Sequence, residues 1–397
     1  MPSVQNIKVS VVGDIMLDHY SYGEVKRISP EAPVPIFLLE KEEWLPGGAA
    51  NVALNLLSLQ ADVILFGRVG NDADGHKLAS FFEKKEGLIQ QPGYATPVKN
   101  RLIAQGQQVM RIDAEKIEPL PTPYYELILS QVFEADIIAL SDYGKGFLTN
   151  ELISLLIEGA RERNIPILVD PKGTDFKKYR GAFLIKPNLK EAYAAVKDEK
   201  NLDKVAEILL EETEAEMLLV TRSEEGMSLF SKGEAREDFP VASKEVVDVT
   251  GAGDTVLAVL TLAIGSQLEI QEAIRMANVA ASIAVEKVGC ARVSLPEIAE
   301  RILGKIVRAK HWFLLEEIMQ SVPVSMLGIN SELGCSLDLM TEIRRPREGK
   351  LLIYFTDDRP DPRLIDLLSS FKEVDFILDI PLSEFQAVQS ALSAEGV

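Results

Sequence analysis

One glycine-rich run of the sequence has the residue types that hold a phosphate group. Residues 248–255 read DVTGAGDT and precede an apolar stretch that predicts a helix. The backbone N–H groups of Gly251, Ala252 and Gly253 would point towards an anion, because the first amides of a helix lack partners. Asp254 would then take the proton from a hydroxyl that attacks the phosphoryl group. The alternative is an ordinary helix start with a stabilising acid in its first turn.

A second glycine pair also leads into a predicted helix. Residues 46–53 read PGGAANVA. The amides of Gly47 and Gly48, with Asn51 one turn further on, suit sugar hydroxyls, which need donors and acceptors at close range. A solvated asparagine at a helix start is the alternative. Because about 200 residues separate the two runs, a single site requires a fold that brings them to one end of a sheet.

Composition excludes several classes of function. The chain of 397 residues has 42 Lys and Arg against 61 Asp and Glu, a formal charge of -19, which disfavours nonspecific binding to nucleic acid or an anionic membrane. A phosphorylated substrate would therefore need local positive groups. No apolar run reaches the ~18–20 residues of a membrane span, and residues 1–10 lack the features of a signal peptide, so we expect a cytoplasmic protein. Two cysteines and three histidines cannot form a Cys/His metal cluster, so any metal should bind oxygen.

The order of predicted elements indicates an α/β fold. Residues 7–12 form an apolar run that predicts a buried first strand, and strands then alternate with helices, which predicts a mostly parallel sheet. Two excursions, at about 19–45 and 96–113, are predicted to form a small β lid, because the first is rich in proline and the second has a turn at Gln105-Gly106. We expect one domain over 1–305 and a smaller α/β domain over 310–397.

The two glycine-rich runs resemble the signatures of the ribokinase-like, PfkB-type sugar kinases over about residues 7–303. The resemblance implies a three-layer α/β/α sheet with a β lid, and it is most specific towards the heptose-7-phosphate kinases of bacterial lipopolysaccharide-core synthesis. Six further runs carry it: 13–18 (GDIMLD), 27–35 (RISPEAPVP), 107–113 (QQVMRID), 170–176 (DPKGTDF), 187–191 (PNLKE) and 221–228 (TRSEEGMS).

The resemblance implies roles for the nucleotide side of the site. Asp254 matches the catalytic base, with the γ-phosphate of ATP held over Gly251, Ala252 and Gly253. Asn188 and Glu191 match an Asn-x-x-Glu element that positions nucleotide phosphates and, through water, Mg²⁺; an ordinary first-turn acid is the alternative for Glu191. The turn that borders the nucleotide is matched by Thr221 and Gly226.

The resemblance also implies roles for the sugar side. Asp14, Asp18, Gly47, Gly48 and Asn51 match the residues that bind sugar hydroxyls. Arg111 and Lys172, followed by Arg101 and Lys145, are the candidates for holding the phosphate of the substrate. Surface salt bridging is the alternative, most strongly for Arg101 and Lys145. The lid would exclude water and form the interface of a homodimer.

The last 88 residues resemble the adenylyltransferase domain that follows the kinase in bifunctional relatives. Residues 324–327 align with its first strand and 351–355 with its second, and Gly328 falls on the strand-end glycine. The position of the two histidines of its nucleotide-binding motif is occupied by 334–337 (GCSL). We therefore expect a degenerate domain without adenylyl transfer, with an unrelated accessory domain as the alternative.

The sequence thus predicts an ATP- and Mg²⁺-dependent kinase that phosphorylates the anomeric hydroxyl of D-glycero-D-manno-heptose 7-phosphate in ADP-heptose synthesis. Two alternatives remain open at this stage. One is another PfkB-type kinase, acting on a fructose phosphate or a nucleoside; the other is a catalytically inactive protein that binds sugar phosphates.

Overall fold

The computed structural model divides the chain into two compact units, Met1–Val293 and Ser294–Val397. The residues that it describes are 7–241, 246–287, 289, 292–303, 306–308, 318–319, 322–330, 337–346, 349–356 and 362–379.

Thirteen strands are described in the larger unit. They are β1 (Lys8–Gly13), β2 (Ile15–Ile28), β3 (Pro35–Gly48), β4 (Asp62–Gly70), β5 (Leu88–Gln91), β6 (Val98–Ala104), β7 (Gln107–Ala114), β8 (Ile137–Ser141), β9 (Ile167–Asp170), β10 (Leu184–Ile185), β11 (Met217–Thr221), β12 (Met227–Ser231) and β13 (Glu237–Phe239).

Eight α-helices are described in the same unit. They are α1 (Ala49–Ser58), α2 (Ala73–Ala79), α3 (Tyr125–Leu129), α4 (Asn150–Glu162), α5 (Leu189–Ala195), α6 (Leu202–Thr213), α7 (Ala252–Gly265) and α8 (Ile270–Val285).

The main sheet has nine strands in the order β13-β12-β11-β10-β9-β8-β1-β4-β5. Strand β12 pairs antiparallel with both of its neighbours, β11 and β13. All the other neighbouring strands, from β11 to β5 in this order, pair parallel. Parallel strands end at the same edge of a sheet, so the segments that follow β1, β8, β9 and β11 gather there. This arrangement confirms the predicted α/β fold with a mostly parallel sheet.

Helices cover both faces of this sheet. Alternate residues of a strand point to opposite faces: Ile138 and Leu140 of β8 join a buried core cluster with α4 and α6. Ile137, which points to the opposite face, lies against Gly265 at the end of α7. Such burial on both faces explains why the parallel strands are near-continuous apolar runs.

A separate four-stranded sheet forms the lid, in the order β3-β2-β6-β7. Strands β2 and β3 pair antiparallel, β6 runs parallel to β2, and β7 returns antiparallel along β6 through a turn at Gln105 (φ 53) and Gly106 (φ 79). The lid strands therefore begin at Ile15, four residues before the predicted 19–45 segment, and extend to Gly48. One glycine-rich run thus ends β3 and starts α1, and the other starts α7.

The smaller unit has a parallel sheet in the order β14-β17-β16-β15. Its described elements are α9 (Leu295–Leu303), β14 (Ile306–Arg308), β15 (Val324–Ile329), α10 (Leu337–Ile343), β16 (Lys350–Phe355), α11 (Pro362–Ser369) and β17 (Phe376–Asp379). The α/β class predicted for this region is confirmed. Of the residues at the predicted histidine position, 334–336 lie outside the described residues.

Within the described residues, no helix combines the length and the hydropathy needed to cross a membrane.

Candidate active site

Asp254 lies in the first turn of α7 with its carboxylate almost fully buried, at 4% exposure. The helix begins after Gly251, whose φ of 78 is in the left-handed region that glycine adopts without strain. Each carboxylate oxygen accepts one hydrogen bond: Asn51 donates to Oδ2 and the Tyr143 hydroxyl to Oδ1, both at 2.8 Å. Asn51 belongs to the run 46–53 and Asp254 to the run 248–255, so the hydrogen bond between them joins the two predicted runs directly.

Burial, together with the nearby charge of Asp170, raises the pKa of Asp254 to about 6 against the opposing effects of the donors Asn51 and Tyr143 and the charge of Lys186. A carboxylate with a pKa just below neutral is ionised at pH 7 yet basic enough to accept a proton as a hydroxyl reacts. These surroundings suit Asp254 to general-base catalysis.

A buried lysine lies beside the glycine-rich turn. Lys186, which follows β10, is 2% exposed and pairs with Asp170 Oδ1 at 3.1 Å. A Cβ atom built on Gly253 would lie 3.7 Å from Lys186 Nζ, so the ammonium group adjoins the backbone amides of the turn. Amides and ammonium together form a positively polarised site for a phosphate.

Asn188 and Glu191 form a reciprocal capping box at the start of α5. The Asn188 side chain accepts from Glu191 N at 2.9 Å, and Glu191 Oε2 accepts from Asn188 N at 3.1 Å. The other oxygen, Oε1, accepts from Lys172 Nζ at 3.0 Å. The structure thus shows the helix-start role that was the alternative for Glu191, and it places Lys172 beside this element.

These groups line one cavity with a volume of about 700 Å³. The predicted nucleotide residues all contribute to it: Asn188, Glu191, Thr221, Gly226, Gly251, Ala252, Gly253 and Asp254. Its lining also contains Lys172, together with the apolar side chains of Val241, Val246 and Val249 and others from β12 and α8. The cavity therefore combines an anion-binding end with an apolar wall.

Sugar-side residues cluster where the lid joins the main sheet. Asp18 on β2 is buried and forms an ion pair with Arg101 on β6. Gly47 lies against the Asp18 carboxylate, where a Cβ atom would clash with Oδ2. Gly48 has a φ of 62 and starts α1, which carries Asn51 to Asp254. Asp18 and Gly47 thus lie together where the lid joins α1, and Asn51 of α1 contacts Asp254.

Asp14 makes contacts that the sequence did not predict. Its Oδ2 accepts from Tyr143 N at 3.0 Å and Lys145 N at 2.9 Å, and its Oδ1 accepts from Phe147 N at 3.0 Å. Burial raises the pKa of Asp14, and these donors oppose that rise. In this structure the carboxylate organises the loop after β8; sugar binding by Asp14 stays a prediction.

Of the two cations first predicted for the substrate phosphate, Arg111 lies directly across from Arg101, the ion-pair partner of Asp18, and Lys172 lies on the nucleotide side. Arg111, on the exposed strand β7, donates to both oxygens of Asp113 at 2.8 and 3.0 Å. Lys172 pairs with Glu191 on the nucleotide side. Arg101 and Lys99 are near Asp18. Lys99 is half-buried, and burial lowers its pKa, whereas the negative charge of Asp18 acts to raise it.

Sequence reasoning missed a buried network that holds the loops after β8 and β9 together. Asp142 Oδ2 accepts from Lys178 Nζ and from the Tyr179 hydroxyl, both at 2.7 Å, and the Tyr179 hydroxyl accepts from Lys172 N at 2.9 Å. Burial beside Asp142 raises the pKa of Tyr179. The available signal was the polar run 141–145 (SDYGK) directly after an apolar strand, which also contains Tyr143.

The donor set is compatible with Mg²⁺ in a water-rich site. In the part of the chain that the structure describes, no group of three or more His, Cys, Asp or Glu side chains could hold a metal by itself. Mg²⁺ is commonly bound by one or two carboxylates, waters and substrate phosphates. Asp170 and Glu191 line the cavity next to the phosphate-binding turn, so these residues fit such an ion.

Comparison with known protein families identifies the larger unit. The model of the pfkB family carbohydrate kinases matches residues 6–298. The chain belongs to the pfkB family of carbohydrate kinases. The predicted family, and with it the predicted class of sugar kinase, is confirmed.

Among curated relatives, the pfkB-family chain is similar to the protein named bifunctional protein HldE in several bacteria. It is 45% identical to that of Geobacter metallireducens over 306 residues, 74% of this chain and 62% of the relative. It is 45% identical to that of Hahella chejuensis over 310 residues, 76% of this chain and 65% of the relative. The chain thus spans less than two thirds of the length of these relatives.

Solved structures confirm the ribokinase-like fold of the pfkB unit. Arabidopsis thaliana ribokinase complexed with ribose and ATP superposes with a TM-score of 0.60 at 18% identity, over 76% of this chain and 99% of that one. Escherichia coli phosphofructokinase-2 in complex with potassium gives a TM-score of 0.61 at 19% identity, over 78% of this chain and 99% of that one. At such identities the likeness concerns the fold.

Proposed function

We propose that this pfkB-family chain transfers the γ-phosphoryl group of ATP to the anomeric C1 hydroxyl of D-glycero-D-manno-heptose 7-phosphate, giving heptose 1,7-bisphosphate for ADP-heptose synthesis. The observation that carries the kinase proposal is the buried Asp254 carboxylate, with a pKa raised to about 6, in the same turn as the Gly251–Gly253 amides. The heptose substrate is inferred from the resemblance of the six runs around this site, and similarity to HldE proteins supports it.

The geometry supports an in-line transfer. Asp254 removes the proton from the C1 hydroxyl; the oxygen forms a bond to the γ-phosphorus, and the bond from phosphorus to the β,γ-bridging oxygen breaks, leaving ADP. The amides of the turn and Lys186 stabilise the charge on the phosphoryl oxygens. Asn51 and Tyr143 hold the Asp254 carboxylate in place. Asp170 and Glu191 would hold Mg²⁺, which neutralises phosphate charge when bound.

The contacts favour a lid-side cluster of cations for the 7-phosphate. Lys99 and Arg101 lie on β6, next to Asp18 on β2, and Lys145 lies in the loop organised by Asp14. Charges of Asp18 and Lys145 both act on Lys99, so these groups are near one another. We assign the 7-phosphate to Lys99, Arg101 and Lys145. Arg111 and Lys172 are the two cations that the sequence alone favoured for this role.

Two further parts of the proposal concern assembly and the smaller unit. Apolar side chains on β3 and β7 of the lid are exposed, which supports a homodimer formed through the lid. The sequence GCSL at 334–337 supports the absence of adenylyl transfer, because the histidines expected to bind nucleotide phosphates are missing from that position.

The experiment that tests this function follows products by phosphorus NMR after incubating the purified chain with ATP, Mg²⁺ and heptose 7-phosphate. We expect an anomeric phosphate signal together with ADP, and no pyrophosphate when heptose 1-phosphate is added. The Asp254→Asn variant should lose turnover, since an amide cannot accept the proton, while it still binds ATP. Phosphorylation of fructose 6-phosphate or a nucleoside in place of the heptose would contradict the substrate, and the absence of ADP with every sugar would contradict the enzyme.

A further inference from the structure

Asp142 directly follows strand β8, and its carboxylate fixes the backbone of the loop that carries Tyr143. The Asp142 side chain is 1% exposed. Its Oδ1 accepts a hydrogen bond from Gly144 N at 2.7 Å, a contact that spans Tyr143 and closes a turn around it. The main chain of Asp142 is held as well, since its N–H donates to Asp170 O at the end of β9 at 3.0 Å. The position of Tyr143 therefore depends on Asp142.

The second oxygen of Asp142 is bound by two consecutive residues from the segment after β9. Its Oδ2 accepts from Lys178 Nζ and from the Tyr179 hydroxyl, both at 2.7 Å. Tyr179 is fully buried, and its hydroxyl oxygen accepts from Lys172 N at 2.9 Å. Because a backbone N–H can only donate, the single hydroxyl hydrogen of Tyr179 is directed at Asp142. The direction of this hydrogen bond is therefore fixed.

The loop after β8 also reaches the proposed general base. The Tyr143 hydroxyl donates to Asp254 Oδ1 at 2.8 Å, and Tyr143 N donates to Asp14 Oδ2 at 3.0 Å. The carboxylates of Asp14 and Asp142 thus both bind the backbone around Tyr143. A connected series of hydrogen bonds leads from Tyr179, through Asp142, to the residue that orients Asp254.

We propose that Tyr179 is a positioning residue for phosphoryl transfer, because it holds Tyr143 in place through Asp142. Tyr143 in turn orients the Asp254 carboxylate. Since Tyr179 is fully buried, it acts on the reaction through its neighbours and not by touching the substrate. This inference rests on the kinase part of the proposed function, and it does not depend on the identity of the sugar.

The same hydroxyl offers a second connection, towards the nucleotide. Tyr179 binds the backbone of Lys172, whose ammonium group pairs with Glu191 at 3.0 Å. The two connections predict different kinetics. Action through Tyr143 should lower kcat, because the proton acceptor loses its orientation, whereas action through Lys172 should raise KM for ATP.

Steady-state kinetics of the full chain with Tyr179→Phe, at about pH 8 where Asp254 is ionised, distinguish these connections. The substitution removes one hydroxyl and keeps the ring in the core. We expect kcat to fall about 10-fold, while KM for ATP stays within about twofold of its original value. In the double variant Tyr143→Phe/Tyr179→Phe, kcat should be about that of Tyr143→Phe alone, because the effects of residues in one network are not additive.

Tyr125→Phe is the matched control for loss of a buried hydroxyl. Tyr125 and Tyr179 belong to the same core cluster, and the Tyr125 hydroxyl is hydrogen-bonded to the side chain of Thr149. Both single variants should lose a similar amount of stability, which thermal unfolding measures. The kcat of Tyr125→Phe should nevertheless match that of the unmodified chain.

Lys178 provides a second test that leaves the tyrosine in place. Lys178→Met removes the other side-chain partner of Asp142, at a side chain that is 16% exposed. We expect kcat to fall in this variant. Lys178→Arg should restore kcat, because it keeps a charged donor for the carboxylate. If Tyr179→Phe does not fold, the two Lys178 variants decide the question.

An unchanged kcat in folded Tyr179→Phe and Lys178→Met would overturn the inference and leave the proposed kinase function intact. A higher KM for ATP with unchanged kcat, or losses that multiply in the double variant, would assign Tyr179 to the nucleotide side and overturn it as well. If the chain phosphorylates a sugar other than the heptose, the same comparison with that sugar tests the inference, although the proposed substrate is wrong. A chain that forms no ADP with any sugar would contradict both.

Discussion

As the proposed general base, Asp254 combines two requirements that usually conflict. A base must be ionised, yet burial opposes ionisation, and here two neutral donors and a lysine keep the carboxylate charged near neutral pH. The pKa of about 6 is the balance of these effects. Because Asn51 and Tyr143 each bind a different oxygen, the carboxylate is also fixed in orientation, as proton transfer requires.

The catalytic rate should depend on pH through this group. Since the protonated carboxyl cannot act as a base, kcat/KM, which reports the ionisation of the free enzyme, should fall about tenfold per pH unit below pH 6. In Tyr143→Phe a donor that lowers the pKa of Asp254 is removed, so this acid limb should move to higher pH. Steady-state kinetics between pH 5 and 9 measure both effects.

The control for this prediction is Tyr193→Phe. Tyr193 lies near the end of α5, and its hydroxyl donates to Lys200 O. Its acid limb should match that of the unmodified chain. An unchanged limb in Tyr143→Phe would show that the tyrosine does not tune the base.

At this scale the sequence predicted the groups with a recognisable pattern. Asp254 and Asn51 lie in glycine-rich runs at helix starts, and the structure brings both together. Lys186 and Tyr143 were missed because each directly follows or neighbours an apolar strand, where a lysine or tyrosine gives no periodic signal. Their roles depend on contacts across the sheet, between segments far apart in the chain, which local patterns do not contain.

The loop after β8 shows how one element is shaped by a side chain from another. Asp14, between β1 and β2, accepts three backbone N–H groups of residues 143–147. A carboxylate is suited to this, since it offers several acceptor positions and no donor. The loop that carries Tyr143 to Asp254 is therefore built around Asp14.

Replacing Asp14 by Asn should damage both stability and catalysis. The amide nitrogen would oppose at least one N–H donor, so we expect the free energy of unfolding to fall by about 1–3 kcal/mol. We also expect kcat to fall, because Tyr143 would lose its position. Urea unfolding and steady-state kinetics provide the two measurements.

Asp136→Asn is the matched control, because Asp136 accepts a single backbone N–H, from Lys8 at 2.9 Å, in exposed surroundings. Its effect on unfolding should stay below about 1 kcal/mol. If Asp14→Asn retains full stability and loses only affinity for the sugar, Asp14 binds substrate instead of shaping the loop.

Secondary structure was predictable where one pattern dominated. The parallel strands were found because burial on both faces makes them continuous apolar runs. The full length of β2 was not predicted, because its first residues belong to the GDIMLD run and its last five residues are partly or fully exposed. Strand β14 has three residues, which is too short for a period of two to be recognised.

Several of the exposed large apolar side chains of the larger unit lie on the lid. On β7 the exposed fractions are 52% for Val109, 53% for Met110 and 51% for Ile112, and on β3 Leu39 is 55% exposed. Apolar side chains concentrated on one small sheet are typical of surfaces that another protein covers. This supports the proposed lid-mediated homodimer.

The double substitution Met110→Lys and Ile112→Lys should dissociate that dimer. Two residues apart on β7, these side chains point to the same face, and burying two ammonium groups in an interface is unfavourable. Sedimentation equilibrium should show a dimer for the unmodified chain and a monomer for the variant. The control is Gln108→Lys, an already polar position on the same strand; a dimer that survives the double substitution would place the interface elsewhere.

Four cations of the larger unit's site are already paired with carboxylates: Lys186 with Asp170, Lys172 with Glu191, Arg101 with Asp18 and Lys145 with Glu115. A phosphate that binds there exchanges places with a resident counterion. Such exchange makes affinity depend less on ionic strength than binding to bare positive charge would. It also favours turnover, because a carboxylate stands ready to reclaim each lysine or arginine as the product departs.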